Sequence, residues 1–246
     1  MNRFTVDTSA TRAHASVARP RVWRGPEAPV TPAFVSWSGG KDCSLAMYRA
    51  VTQGSAVHLL VTMMIEDGTR SRSHGIRREL LEAQAEALGV PMLLVPTSWE
   101  QYDTSFQHAV ASAKGAGCQV GIFGDIDIDS HREWVERVCA LEGCTALLPI
   151  WHHDRDVHLS DLLRLGFKAV VVAVRDGVLP PQLLGRVVDS DLLAIFQQSP
   201  VDLAGEGGEY HTFVVDGPTF RRPVPIEVGP TVLRDGVWFA DLTVRD

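Results

Sequence analysis

Apolar positions along the chain fall into two spacings that alternate. A short apolar run over residues 33–37 meets a glycine-rich turn, and helical spacing follows over 42–53. Residues 57–65 form a longer apolar run of strand length. Ile76, Leu80, Ala83, Ala87 and Leu88 then recur at helical intervals up to Gly89. Further strands are expected over 91–95, 119–123, 145–149 and 167–174, with helices over 99–114, 130–141 and 159–165 between them. Ser130 and Glu133 have the spacing of a capping box, which predicts a helix start there. Strands alternating with helices predict an α/β fold on a doubly wound, mainly parallel sheet.

The pattern changes near Pro180. One helix is expected over about 189–197, then a glycine-rich segment over 205–210. Strand-like runs follow at 211–215, 224–228 and 237–244, and Asp235-Gly236 is a hairpin-turn signal. This predicts a smaller C-terminal α+β domain. Residues 1–30 show no periodicity and are rich in Ala, Thr, Ser, Arg and Pro, so a disordered tail is expected.

Composition narrows the class. With 246 residues, 45% hydrophobic and 22% charged, the chain can bury a core without disulfide or metal staples. No apolar run reaches the ~18 residues of a membrane span, so a soluble, cytoplasmic protein is expected. Cys43, Cys118, Cys139 and Cys144 have no CxxC spacing and read as reduced thiols. The net charge is −7, and the first 30 residues carry five Arg against Asp7 and Glu27. The remainder is therefore at −10, which argues against a broad nucleic-acid surface.

The strongest chemical signal is Ser38-Gly39-Gly40-Lys41-Asp42 between the first strand and the first helix. Paired glycines let backbone N–H groups approach an anion, and the helix N-terminus adds unpaired donors and partial positive charge. Lys41 adds a full charge, and Ser38 and Ser44 offer hydroxyls. The pattern is neither a Walker A loop nor a dinucleotide fingerprint.

Two further blocks stand out. Gly124 and Asp125 follow a strand, where parallel sheets face ligands. If that segment stays extended, Asp125, Asp127 and Asp129 share one face and could hold Mg²⁺ or orient arginines. Arg132/Glu136 and Glu133/Arg137 are i,i+4 pairs on the helix that follows. The segment Gly205-Glu206-Gly207-Gly208-Glu209-Tyr210-His211-Thr212 gathers acid–base side chains on a permissive backbone. Three His and two Asp over 152–158 invite a zinc reading, but nothing there fixes ligand geometry.

The Ser-Gly-Gly-Lys-Asp loop resembles the PP-loop of the N-type ATP pyrophosphatases. With Gly124-Asp125, Pro149-Ile150-Trp151, Leu184-Gly185-Arg186 and the Glu206–Thr212 motif in order, the chain is similar to the diphthine–ammonia ligase family over about residues 33–225. The family pattern usually carries Ser where this chain has Cys43. The resemblance implies a HUP-type, Rossmann-like PP-loop domain over 31–148 and a family-specific substrate-side domain over 149–246.

It also implies a reaction. ATP activates a carboxylate as an acyl-adenylate, pyrophosphate leaves, and ammonia gives an amide and AMP. In that family the carboxylate belongs to diphthine, a modified histidine of elongation factor 2. The implied partners are ATP with Mg²⁺, ammonia, and a small-molecule or protein acceptor; a homodimer is open, and neither a membrane nor a nucleic acid is expected. Catalytic roles fall to Lys41, Glu206, Glu209 and His211. Ser38, Gly39, Gly40, Lys41, Asp42, Ser44, Gly124 and Asp125 are expected to bind the nucleotide. His74, Arg132, Gly207, Gly208, Tyr210 and Thr212 are expected on the substrate side. The alternatives are a tRNA-modifying PP-loop enzyme and a non-catalytic ATP sensor.

Overall fold

A computed structural model describes residues 30–245. Apart from Val30, the tail expected over 1–30 lies outside the described residues. Five strands form the first sheet: β1 (Thr31–Ser36), β2 (Ser55–Met64), β3 (Met92–Pro96), β4 (Val120–Ile122) and β5 (Thr145–Leu147). All pair in parallel, in the order β3-β2-β1-β4-β5. Between them run α1 (Lys41–Thr52), α2 (Arg78–Leu88), α3 (Tyr102–Gly115) and α4 (Asp129–Leu141).

The pleat of β1 explains why helices cover both faces. Phe34 packs with Phe106 of α3 and with Val135 and Val138 of α4. Val35, on the opposite face, joins Leu45 of α1 and Leu80 of α2. A strand buried on both sides reads as continuous apolar sequence, which is the pattern of residues 33–37. The chain builds outward from β1 to β3, then returns to place β4 on the other side of β1. That reversal opens a crevice at the C-terminal ends of β1 and β4.

The C-terminal part contains α5 (Arg155–Leu165), β6 (Lys168–Arg175), a 3₁₀ turn (Pro181–Leu183), α6 (Ser190–Gln197), β7 (Tyr210–Asp216), β8 (Ile226–Arg234) and β9 (Val237–Val244). Its sheet is antiparallel, in the order β7-β6-β9-β8. The β8–β9 hairpin closes through Asp235 and Gly236, both in the left-handed region at φ 49° and 76°, as a two-residue primed turn requires. The two sheets do not have separate cores. Leu45 and Leu81 of the first layer share one apolar cluster with Val170, Phe213 and Leu242 of the second sheet.

Three local expectations are corrected. The helix near residue 130 has no capping box: α4 begins at Asp129, and the preceding Ile128 caps it without a side-chain bond. Ser130 therefore lies inside the first turn. Asp125, Asp127 and Asp129 do not share a face, because the chain bends after Ile126; Asp125 meets His131, Asp127 meets Arg155, and Asp129 starts the helix. The last but one strand runs over Ile226–Arg234 and not 224–228. It is an edge strand with mostly exposed residues, so little apolar alternation marks it. Among the described residues no helix is long and apolar enough to cross a membrane.

Candidate active site

The turn after β1 is shaped from three sides. Gly39 sits at φ +82°, a conformation that favours glycine. Its carbonyl accepts from the backbone N–H of Val214 at 2.9 Å and from Gln84 Nε2 at 3.0 Å. Gln84 is fully buried on α2. Its amide also donates to Val214 O at 2.6 Å and accepts from Trp37 Nε1 at 2.9 Å. One glutamine thus joins the end of β1, the turn and β7.

The Lys41 N–H donates to Thr212 Oγ1 at 3.1 Å. That leaves Asp42 and Cys43 as the first-turn amides without helical acceptors. Gly124, after β4, passes directly over them: a Cβ there would lie 2.8 Å from Asp42 C and Cys43 N. The missing side chain keeps this peptide open to the crevice.

The crevice is an open cleft of about 680 Å³. Ser38, Asp42 and Cys43 of the turn, Thr62 of β2, His74 and Gly124 are among its walls. Two predicted contacts change here. Ser44 is fully buried and its hydroxyl donates to Gly40 O at 2.7 Å, away from the cleft. Cys43 lines the cleft instead. Burial, moderated by the Ser38 hydroxyl, pushes its thiol pKa up, so it is a neutral surface and not a nucleophile.

Behind the turn lies a cluster of charged and acid–base groups. Lys41 is only 4% exposed. Its Nζ pairs with Asp42 Oδ2 at 2.9 Å and stands 5.1 Å from the centre of the Tyr210 ring. Burial alone would raise the Asp42 pKa, but Lys41 and then His158 override it and hold the carboxyl well below the usual range. His158, fully buried on α5, places Nε2 2.9 Å from Asp42 Oδ1, although the two are out of line for a hydrogen bond.

Glu206 faces this cluster. Burial, followed by the Asp42 charge, raises its pKa to about 7. Its loop is anchored through Asp202, which accepts from Ala204 N at 2.9 Å and Glu206 N at 3.2 Å. Arg155 grips Asp202 and also Asp127, at 2.7 Å from Nε to Oδ2. Arg175 holds the Gly207 carbonyl, and its backbone N–H donates to Glu209 O at 2.9 Å, so the strand end fixes the Gly207-Gly208 turn. Glu209 Oε2 is buried without a partner. Tyr210 donates to Leu203 O at 2.5 Å, and burial raises its pKa well above the ordinary value.

Two imidazoles close the cluster. His74 and His211 stack with ring centres 4.5 Å apart. Burial lowers the pKa of both, to about 4 for His211, with the His211 charge second for His74 and the Lys41 charge second for His211. Both are neutral at pH 7, and His74 Nδ1 has no partner. The site therefore offers backbone donors for an anion at an open cleft and, behind the turn, one buried cation and neutral imidazoles.

Of the predicted residues, Arg132 is set apart. It pairs with Glu136 at 2.7 Å on exposed α4 and covers the Trp151 ring at 5.3 Å. Arg137 pairs with Asp103. Asp125 stands at the cleft edge beside His131 at 3.2 Å, and burial, the largest influence, raises its pKa. In the histidine-rich segment, His153 meets Arg49 and Asp161, while His158 turns inward to Asp42.

Residues 32–146 match the family model described as the diphthamide synthase N-terminal domain, and residues 154–242 match that of the diphthamide synthase C-terminal domain. The chain belongs to the diphthamide synthase family. The family resemblance read from the motifs is borne out. Curated relatives named diphthine–ammonia ligase include one from Danio rerio, 27% identical over 82% of this chain and 89% of its own length. One from Mus musculus is 29% identical over 82% of this chain and 85% of its own. A Schizosaccharomyces pombe relative of the same name is 22% identical over 76% of this chain and 34% of its own length.

Within this diphthamide synthase family chain, sequence reading missed two site residues. Gln84 stood among polar positions of an ordinary amphipathic helix. His158 carried a usable signal, a histidine four residues after Asp154 at the start of a helix, but the neighbouring His and Asp residues pointed to a metal instead.

Proposed function

We propose that the chain is an AMP-forming amide ligase of the diphthine–ammonia ligase type. One observation carries the reading: the phosphate-binding turn and the Glu206–Thr212 motif are bonded to each other, through Lys41 N to Thr212 Oγ1 and Val214 N to Gly39 O. Nucleotide and acid–base groups then act on one reacting centre.

The adenosine lies in the cleft above β1 and β4, with phosphates against the Asp42 and Cys43 amides and the α1 N-terminus. The acceptor carboxylate attacks the α-phosphorus. The new O–P bond forms as the bond to pyrophosphate breaks. Lys41 supplies positive charge where negative charge develops. Asp42 and Asp125 fit a divalent ion. Both are hard carboxylates close enough to influence each other electrostatically, and Asp42 would have to share its oxygens with Lys41 and His158, each at 2.9 Å. Mg²⁺ held there would offset charge on the phosphates.

Ammonia then attacks the acyl carbon and AMP departs. An ammonium ion reaching the site must lose a proton first. Glu206, with a pKa near 7, can accept it, whereas the depressed pKa values of His211 and His74 make those imidazoles weak bases suited to lone-pair or N–H hydrogen bonding. Tyr210 and Thr212 fix the backbone that presents these groups.

The test follows the label of α-labelled ATP with Mg²⁺, ammonium and elongation factor 2 carrying diphthine. Acceptor-dependent AMP and pyrophosphate support the ligase. Label in ADP, or unchanged ATP, would sink the adenylation mechanism.

A further inference from the structure

We infer that the acceptor carboxylate enters through a second groove, between the 65–75 loop and the β8–β9 hairpin, and that Arg234 receives it. The inference rests on the ligase reading above and assigns where its second substrate docks. The groove is about 1030 Å³ and is lined in part by Arg70, Arg72, Arg234, Val232, Val237 and Phe239. It shares Ser71 and Ser73 with the nucleotide cleft, so a group extended along it arrives at the nucleotide from the side opposite Gly124.

The arginines of this groove are not equivalent. Arg70 is committed to Asp241 at 2.9 Å, where Arg77 also binds at 2.6 Å. Arg72 is committed to Glu66 at 2.7 Å and to the Thr97 carbonyl, with its guanidinium against the Trp99 ring. Arg234 has no ion pair among the described residues. Its position is nevertheless fixed. It pairs with Val237 on the last rung before the hairpin turn. That turn is tied down by Asp176, whose N–H donates to Gly236 O at 2.9 Å and whose carboxylate accepts from Trp238 Nε1 at 2.8 Å. An exposed guanidinium without an ion pair, carried on a hairpin whose backbone is held in place, matches a carboxylate. Of the acidic groups lining the groove, Asp241 is occupied by Arg70 and Arg77, while Asp235 stands beside Arg234 at the turn.

The lining also identifies the carrier of that carboxylate. A small hydrated acid makes no use of Val232, Val237 and Phe239. β8 is the edge of its sheet, and Val228, Val232 and Leu233 on it are 40%, 37% and 45% exposed. An exposed apolar edge strand next to a reactive groove is suited to a protein surface. The lining therefore suits the protein-borne carboxylate of the ligase reading.

Acceptor kinetics with the full chain test this, using elongation factor 2 carrying diphthine as the probe. Arg234→Glu is expected to raise the acceptor KM at least tenfold, while the ATP KM stays within twofold. Arg234→Lys recovers part of the loss. Arg137→Glu, a charge reversal on exposed α4, leaves both constants unchanged. An unchanged acceptor KM in Arg234→Glu, with the parent turning over, overturns this inference alone. A small free carboxylate such as acetate that serves as well as the protein also overturns it. A parent that forms no acceptor-dependent AMP overturns the ligase reading and this inference together.

Discussion

The backbone N–H of Lys41 donates to the side-chain hydroxyl of Thr212 at 3.1 Å, across 171 residues of sequence. Both residues are buried. The hydroxyl takes the place of the acceptor that the first turn of α1 lacks, so the nucleotide turn depends on a strand of the other sheet. Thr212→Val keeps the shape and removes the acceptor. It is expected to lower stability by about 2 kcal/mol, the cost of one unpaired buried N–H, and to raise the ATP KM. Thr212→Ser restores both. Urea unfolding and initial AMP rates on the three proteins provide the check.

Gln84→Leu is expected to cost about 3 kcal/mol, because the Trp37 indole and the Val214 carbonyl lose partners inside the core. Gln84→Glu should be worse than its single-atom difference suggests, since a carboxylate would face the carbonyls of Gly39 and Val214. Both variants loosen the turn, so the ATP KM rises more than kcat falls. Nucleotide titration alongside thermal unfolding separates the two effects.

Lys41→Met is expected to abolish AMP formation and to destabilise the fold by about 3 kcal/mol, because the Asp42 carboxylate loses its main buried partner. Adding Asp42→Asn removes the stranded charge. The double variant should regain much of the stability and none of the activity. A double variant that regains activity would show that the lysine charge is dispensable.

Glu206 sets the expected pH behaviour. Its pKa near 7 places the basic form above neutrality, so the acceptor-dependent rate rises with pH through about 7, and Glu206→Gln removes that limb. Stability runs the other way. Between the ordinary value of 4.5 and about 7 the folded chain holds a proton that the unfolded chain has released, so Glu206 costs stability as pH rises through this window. His211 acts oppositely: between 6.5 and about 4 the unfolded chain binds the proton first, and stability falls as pH falls. Urea unfolding at pH 5.5 and pH 8 should show Glu206→Gln gaining more on the parent at the higher pH.

Much of the architecture is legible in the sequence. Strands buried on both faces, the glycine turn after the first of them and the Asp235-Gly236 hairpin each have a local cause that sequence records. The misreadings share another cause. Ser130 and Glu133 have cap spacing, but the helix has already begun at Asp129, after the buried Ile126 ends the extended segment. Gln84 and His158 are polar residues on helices whose neighbours across the core come from the other sheet. Nothing within ten residues of either reveals those partners.

The dependence of the turn on β7 also has a consequence for the order of synthesis. β1 and the glycine turn leave the ribosome early, but Thr212 and Val214, which fix Gly39 and Lys41, emerge about 170 residues later. Until then only Gln84 holds the Gly39 carbonyl. A chain truncated before β7 therefore lacks two of the contacts that shape the turn.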